Sequence, residues 1–263
     1  MMYKRQLSIF DVDGSYIIDQ WSFTDRNGAY HENGYKPKDK KSLVRLLQIL
    51  IDERGDEGDF NDIDVSEIRD MSHLFENCRD FNGDITGWDT SNVRSMEYMF
   101  YDAKSFNQPI GNWDMSSVQR TVGMFKNAES FNQPIGNWNV SKVWNMNSMF
   151  QGARSFNQPI DEWNVWNVKY MNNMFDGARS FNQPIGSWNV SKVRNMNSMF
   201  RKATPFNQPI GSWDIDGVED MSCMFEGAES FNQDLSGWKP TAIQERFFKH
   251  KLNVHKQDTN TQL

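Results

Sequence analysis

The sequence predicts an α/β solenoid, in which 25-residue coils stack and each coil supplies one short strand and one short helix. The first observation is a fixed period, since Phe-Asn-Gln-Pro-Ile recurs unbroken at Phe106, Phe131, Phe156, Phe181 and Phe206. The second is that this register extends to Phe81 and Phe231 without an insertion. The third is that apolar spacing within one period changes from helical to alternating. Such a chain is typical of stacked units that bury their apolar faces against one another.

The N-terminal segment, residues 1–35, is predicted to form a small β-meander. Leu7, Ile9 and the run 16–18 flank Asp13-Gly14, which is a strong hairpin signal. A second turn is predicted at Asn27-Gly28, so that the chain continues as a further strand towards Tyr30.

Residues 36–55 are predicted to contain a capping helix. Between Lys40 and Arg54, one helical face carries the apolar side chains Leu43, Leu46, Leu47, Leu50 and Ile51. We expect this helix to cover the open N-terminal edge of the stack, because a terminal repeat has no neighbour on one side.

Residues 56–240 are predicted to form the solenoid itself, with about seven to eight coils. In one coil, helical spacing relates Val143, Met146, Met149, Phe150 and Ala153. Ile160 follows, and Trp163 and Val165 then alternate with polar residues, as in a half-buried strand. Residues 241–263 abandon the pattern and are predicted to form a C-terminal cap and a polar tail.

Superimposing the coils places seven tryptophans in one column and seven asparagines in another. The tryptophan column runs through Trp88, Trp113, Trp138, Trp163, Trp188, Trp213 and Trp238, and it is predicted to be core. The asparagine column runs through Asn82, Asn107, Asn132, Asn157, Asn182, Asn207 and Asn232. It is predicted to satisfy backbone groups at a bend, with a polar binding rail as the alternative.

The net charge of −7 comes from residues 52–70, which hold nine acidic side chains and two arginines. No basic cluster is strong enough to follow phosphates, which excludes nucleic acid as the expected partner. No apolar run is long enough to span a bilayer, and the first residues lack a signal-peptide core, so a cytoplasmic location is expected. The acidic run lacks the spacing of a calcium loop and the histidines do not cluster, so neither a cofactor nor a metal is predicted.

The unit Trp-Asn-Val-Ser-Lys-Val-x-Asn-Met-x-x-Met-Phe-x-x-Ala-x-x-Phe-Asn-Gln-Pro-Ile occurs at 138–160 and at 188–210. It resembles the BspA-like leucine-rich-repeat surface proteins, and the similarity covers about residues 36–250. The resemblance implies a leucine-rich-repeat-like, right-handed solenoid with a role in adhesion or partner binding, and no catalytic residues. Proteins of that family are displayed on the cell surface or secreted, which implies export by another route here.

Deviations from the repeat provide the candidate binding residues. Trp144, Trp166 and Tyr170, here called the aromatic cluster, occupy polar positions of adjacent coils, so stacking is expected to bring them together in solvent. The alternative is that Trp144 and Trp166 simply cover one another. The second candidate, here called the polar face, projects outward from the predicted strands; it comprises Asn137, Asn139, Glu162, Asn164, Ser187 and Asn189.

The sequence therefore predicts a non-enzymatic interaction scaffold for a protein or a glycan partner. A monomer is expected, with self-association left open. One alternative is a phosphatase-like activity, because Asp11-Val12-Asp13-Gly14 is similar to the first motif of the haloacid-dehalogenase phosphatases, in which an aspartate is the nucleophile. Another alternative is a purely structural, self-assembling spacer.

Overall fold

The N-terminal part of the chain forms a three-stranded antiparallel sheet. A computed structural model describes residues 9–10 and 16–238, and the strands are β1 (Ile9–Phe10), β2 (Tyr16–Thr24) and β3 (Tyr30–Lys36), in the order β1-β2-β3. Between β2 and β3, the Ala29 N–H donates to Asp25 Oδ1 at 2.8 Å, and Gly28 has a φ of 87°. The predicted turn at Asn27-Gly28 is therefore confirmed, whereas the turn at Asp13-Gly14 lies outside the described residues.

A helix is present in the segment predicted to contain one, as α1 (Lys40–Arg54). Asp39 caps its N-terminus, since its Oδ1 accepts the Ser42 N–H at 2.8 Å while the Ser42 hydroxyl accepts the Asp39 N–H at 3.1 Å. Gly55 ends the helix with a φ of 76°. The buried face carries four leucines: Leu43, Leu46, Leu47 and Leu50.

Strand β3 joins the sheet to the repeats. The Tyr35 N–H donates to the Asp62 carbonyl at 2.7 Å, and the Asp64 N–H donates to the Tyr35 carbonyl at 2.8 Å. The turn before β3 also touches the repeats, because the Arg26 N–H donates to the Gly87 carbonyl at 3.0 Å. The first repeat thus has its backbone groups paired with the N-terminal sheet. The domain boundaries at residues 35, 55 and 240 stay predictions, and the predicted cap at 241–263 lies outside the described residues.

The prediction of one short helix in each repeat is wrong. Residues 147–152 form consecutive turns, in which the Met149 N–H donates to the Met146 carbonyl at 3.2 Å. Ser148 and Gly152 have φ values of 56° and 70°, a left-handed conformation that an α-helix excludes. The donors that a helix would use internally reach the next repeat instead: the Phe150 N–H, for example, lies 2.9 Å from the Met174 carbonyl.

The prediction of a short strand at Ile160–Val165 is also wrong. That segment turns, with the Trp163 N–H donating to the Ile160 carbonyl at 3.1 Å, so this donor is not available to a ladder. Parallel pairing occurs elsewhere, as isolated bridges between equivalent residues of successive repeats: Asp70, Ser95, Arg120, Asn145, Tyr170, Asn195 and Asp220. Within 56–238, the assigned regular structure is a single 3₁₀ turn at Ile110–Asn112.

The predicted core columns are confirmed. The phenylalanines stack in two files, with ring centroids 5.5–5.8 Å apart from Phe75 to Phe225 and 6.0–6.2 Å apart from Phe81 to Phe231. Each tryptophan of the column is buried. Its indole N–H donates to a backbone carbonyl of the preceding repeat at 3.0–3.2 Å. The hydrogen bond explains why this large ring recurs, since a buried indole N–H without an acceptor is unfavourable.

The asparagine column is a ladder of backbone hydrogen bonds, as predicted. The backbone N–H of each asparagine from Asn107 to Asn232 donates to Oδ1 of the asparagine one repeat earlier, at 2.8–3.1 Å. The column therefore serves the stacking of tandem repeats.

Candidate functional site

A turn closed by an Asp or Asn side chain carries the exposed part of each repeat. The side-chain oxygen accepts the backbone N–H two residues later, at 2.8–3.3 Å. The residues that do so are Asp64, Asp89, Asp114, Asn139, Asn164, Asn189 and Asp214. Three residues of the predicted polar face thus have a structural role that the sequence alone did not indicate.

The polar face is exposed but does not lie on a strand. Its six residues, Asn137, Asn139, Glu162, Asn164, Ser187 and Asn189, flank the buried tryptophans of three successive repeats on turns. The Ser187 hydroxyl donates to the Asp161 carbonyl at 3.2 Å, which fixes one of these side chains to the preceding repeat. The surface is therefore polar and repetitive, as predicted, although its backbone differs from the predicted strand.

The aromatic cluster is exposed, with 36% of Trp144, 44% of Trp166 and 38% of Tyr170 accessible to solvent. Trp144 and Tyr170 are in edge-to-face contact, with ring centroids 6.2 Å apart and an interplanar angle of 70°. The backbone explains this pairing, because the Lys169 N–H donates to the Trp144 carbonyl at 2.9 Å and places Tyr170 beside Trp144.

Trp166 has a different neighbour from the one expected. The ammonium of Lys192, which belongs to the next repeat, lies over its ring at 3.5 Å from the centroid. The structure thus pairs Trp144 with Tyr170 and Trp166 with Lys192. Sequence reasoning missed Lys192; its signal was a position one period and one residue after Trp166, on the same exposed turn.

Charges at the edge of this surface affect Asp114. Burial disfavours the ionised form of its carboxyl, but hydrogen bonds from Ser116 and the positive charges of Arg26 and Lys142 outweigh that effect and lower the pKa. The carboxylate is therefore kept ionised where the repeat before the aromatic cluster turns.

A cavity of about 230 Å³ lies where β2 meets the first repeats. Its three carboxylates are already paired, since Asp25 lies 3.1 Å from His31 Nε2, Asp64 lies 3.4 Å from Lys36 Nζ and Asp89 lies 3.6 Å from Arg26. Its lining therefore lacks the set of convergent, unpaired polar groups that defines a ligand site.

Four of the nine acidic side chains in the run 52–70 lie in ion pairs: Asp62, Asp64, Glu67 and Asp70. Arg54 donates to both oxygens of Asp62, at 2.7 and 2.8 Å, and Lys40 lies 3.2 Å from Asp70. Across residues 9–10 and 16–238, no group of three or more His, Cys, Asp or Glu side chains is arranged to hold a metal ion. Over the same described residues, no helix has the length and apolarity needed to cross a bilayer. Asp11 and Asp13 lie outside the described residues.

The stacked phenylalanines, the tryptophan and asparagine ladders and the exposed turns define a tandem-repeat protein. The profile of the family described as "Mycoplasma protein of unknown function, DUF285" matches this chain twice, over residues 51–163 and 145–260. The two matches together span most of the chain, so the protein belongs to that family. Comparison with curated proteins gives no match, and comparison with solved structures gives none either.

Proposed function

We propose that the protein is a non-enzymatic, adhesion-type interaction scaffold that holds a macromolecular partner through the aromatic cluster and the adjoining polar face. We also propose that its repeats form a right-handed, leucine-rich-repeat-like solenoid of the BspA-like type. The second proposal extends the stacking of neighbouring repeats to the overall shape of the array.

The distribution of exposed large apolar side chains carries this proposal. Within residues 22–32 and 34–238, whose side-chain exposure the structure describes, there are four, of which Trp144, Trp166 and Tyr170 lie on adjacent repeats and Tyr30 lies on β3. Tryptophan and tyrosine are enriched among the residues that dominate binding energy at protein interfaces. An array with about sixty buried apolar residues elsewhere has no packing reason to leave these three in solvent.

Rigidity of the support also favours binding. The backbone of Trp144 is held on both sides, because its N–H donates to Gln119 at 3.1 Å and its carbonyl accepts from Lys169 at 2.9 Å. A surface that is ordered before binding loses little conformational entropy when a partner docks.

The repeats themselves supply substitutions that suit the fold. Ser stands at the position of Trp166 in the repeats before and after it, and Asn stands at the position of Tyr170. We expect the double variant Trp166→Ser, Tyr170→Asn to keep its thermal stability and to lose most of its partner in affinity capture from an extract of the source cell. The control is Tyr30→Asn, which removes an exposed ring outside the cluster and should capture as the wild type does. Equal capture by all three proteins would refute the proposed site.

The competing proposal, hydrolysis through Asp11 and Asp13, has a separate readout. It requires magnesium-dependent release of phosphate from a simple phosphomonoester, and Asp11→Asn should abolish that release. Folded protein that releases no phosphate but captures its partner supports the scaffold.

A further inference from the structure

The exposed turns of three successive repeats differ in charge from those of the other repeats. Residues 139–145, 164–170 and 189–195 are here called the cationic aromatic surface. They contain four basic residues, Lys142, Lys169, Lys192 and Arg194, and no acidic residue. The equivalent residues 214–220 contain four acidic residues and no basic one, and residues 89–95 and 114–120 contain one of each sign. A positive surface thus lies within a chain whose net charge is −7.

Part of this difference in charge comes from the residues whose side chains close the exposed turns. They are here called the turn-closing column: Asp64, Asp89, Asp114, Asn139, Asn164, Asn189 and Asp214. Four repeats outside the surface use Asp at this position, as Asp64, Asp89, Asp114 and Asp214, whereas the surface uses Asn139, Asn164 and Asn189. The fold does not require Asn there, because Asp114 accepts its N–H at 2.8 Å while Asn189 accepts the equivalent N–H at 3.2 Å. A carboxylate is the stronger acceptor. The three asparagines therefore remove negative charge without improving the turn.

The cations of the surface also differ in their partners. In other columns cations lie against carboxylates of neighbouring repeats, as Lys104 and Arg154 do with Glu129 at 2.9 and 3.2 Å. Among the residues that the structure describes, none of the four cations of the surface lies within 4.0 Å of a carboxylate. Lys192 lies over the Trp166 ring, and Arg194 donates to the Gly217 carbonyl at 3.0 Å.

We propose that the cationic aromatic surface docks an acidic segment of a protein partner. This inference rests on the proposed scaffold function and names the chemistry of what is bound. Carboxylates of the segment accept from Lys142, Lys169, Lys192 and Arg194, and its apolar side chains pack on Trp144 and Tyr170. Aromatic rings with adjacent cations combine the two contributions, burial and charge pairing, that anchor protein interfaces.

The length of the surface favours a short segment over a long polyanion. Three repeats at the spacing of paired strands span roughly 10 Å, which is the length of about three extended residues. Asp114 lies on the repeat before the surface, and Asp214, Asp216, Glu219 and Asp220 lie on the repeat after it. A nucleic acid or a sulfated glycan that ran along the stack would meet these carboxylates, whereas a short acidic stretch would not.

The test uses a fluorescently labelled oligo-glutamate peptide and its anisotropy on titration with the full chain. We expect saturable binding that weakens as salt is added, and no binding of oligo-lysine. The decisive variant is Asn139→Asp, Asn164→Asp, Asn189→Asp, which introduces the residue found at positions 64, 89, 114 and 214 and should keep the wild-type melting temperature. It should weaken binding by about tenfold or more, because three carboxylates are placed near those of the ligand.

The control adds the same three carboxylates outside the surface, as Ser130→Asp, Ser155→Asp, Ser180→Asp, at exposed equivalent positions of three successive repeats. It should bind oligo-glutamate within about threefold of the wild type, after allowance for any loss of stability. Equal binding by the Asp variant, or no binding at about 1 mM protein, overturns the inference. Tighter binding of oligo-thymidylate than of oligo-glutamate also overturns it. The scaffold proposal is judged separately, since capture that depends on Trp166 and Tyr170 but not on the three asparagines would sustain it.

Discussion

Two tryptophans three residues apart test the division between core and surface. Trp163 is 3% exposed, and its indole N–H donates to the Ile135 carbonyl at 3.0 Å. Its ring lies 6.3 Å from those of Trp138 and Phe150. Trp166, by contrast, is 44% exposed and contacts Lys192. Removal of the indole ring should therefore lower the free energy of unfolding strongly at Trp163 and very little at Trp166.

The expected loss at Trp163 can be worked from its burial. A buried tryptophan removes about 150–250 Å² from water, which at roughly 25 cal/mol per Å² corresponds to about 4–6 kcal/mol. Alanine also leaves the Ile135 carbonyl without its donor, while partial collapse of the cavity recovers some energy. We expect Trp163→Ala to lower the free energy of unfolding by about 3–5 kcal/mol. Trp166→Ser should change it by about 0.5 kcal/mol or less.

The measurement is urea unfolding followed by the fluorescence of the remaining tryptophans, with circular dichroism as a second probe. Two probes are needed because a repeat array can unfold in parts. Trp163→Phe is the control, since it keeps an aromatic ring in the stack but removes the N–H, and it should fall between the two. The reasoning fails if Trp163→Ala costs less than about 1 kcal/mol, or if Trp166→Ser costs more than about 2 kcal/mol.

Two further predictions concern the backbone and pH. Gly152 and Gly177 share a φ of 70°, but Asn127 Oδ1 occupies the space of an added Cβ at Gly152, whereas at Gly177 the nearest atom is 3.8 Å away. Gly177→Ala should lower the free energy of unfolding by about 1–2 kcal/mol. Gly152→Ala should lower it by clearly more, and equal losses for the two variants would refute the steric argument. For Asp70, burial opposes ionisation, but hydrogen bonds from Ser72 and the charge of Lys40 lower the pKa below its ordinary value of 3.8. Its contribution is therefore complete above pH 3.8 and is lost as pH falls through the lowered pKa, so the stability gap between wild type and Asp70→Asn should close in acid.

The sequence predicted the stacking of repeats better than their backbone. The period alone placed Trp163 and Asn157 in columns, because a residue that recurs every 25 positions meets its own copies in a stack. The helix prediction failed because apolar residues three and four apart also fit a chain of successive turns. Residue type gave little warning: Tyr98 and Lys202 have φ values of 55° and 57°, which these side chains rarely adopt. Hydrogen bonds to the next repeat hold that conformation, so the information is tertiary.

The candidate site was predictable in its exposure but not in its contacts. Trp144 occupies a column of mostly charged residues, which is enough to predict that it faces solvent. Trp144 contacts Tyr170, whereas Trp166 lies under Lys192. These two contacts depend on offsets of one or two positions between adjacent turns. These offsets can be predicted only from the geometry of the turn, and the wrong strand prediction did not provide that geometry.

The requirements of stacking limit where this chain can vary. Asn157 shows the restriction, because its Oδ1 accepts both the Asn182 N–H at 2.9 Å and the Gln183 side chain at 3.0 Å, and a substitution would remove both bonds. The turn-closing column is different, since Asp and Asn both accept the N–H two residues later. Charge at that column can therefore change from repeat to repeat while the stack stays intact. A partner-specific surface is therefore most easily built at this column. Asn139, Asn164 and Asn189, which lie on three successive repeats with Trp144 and Trp166, occupy such positions.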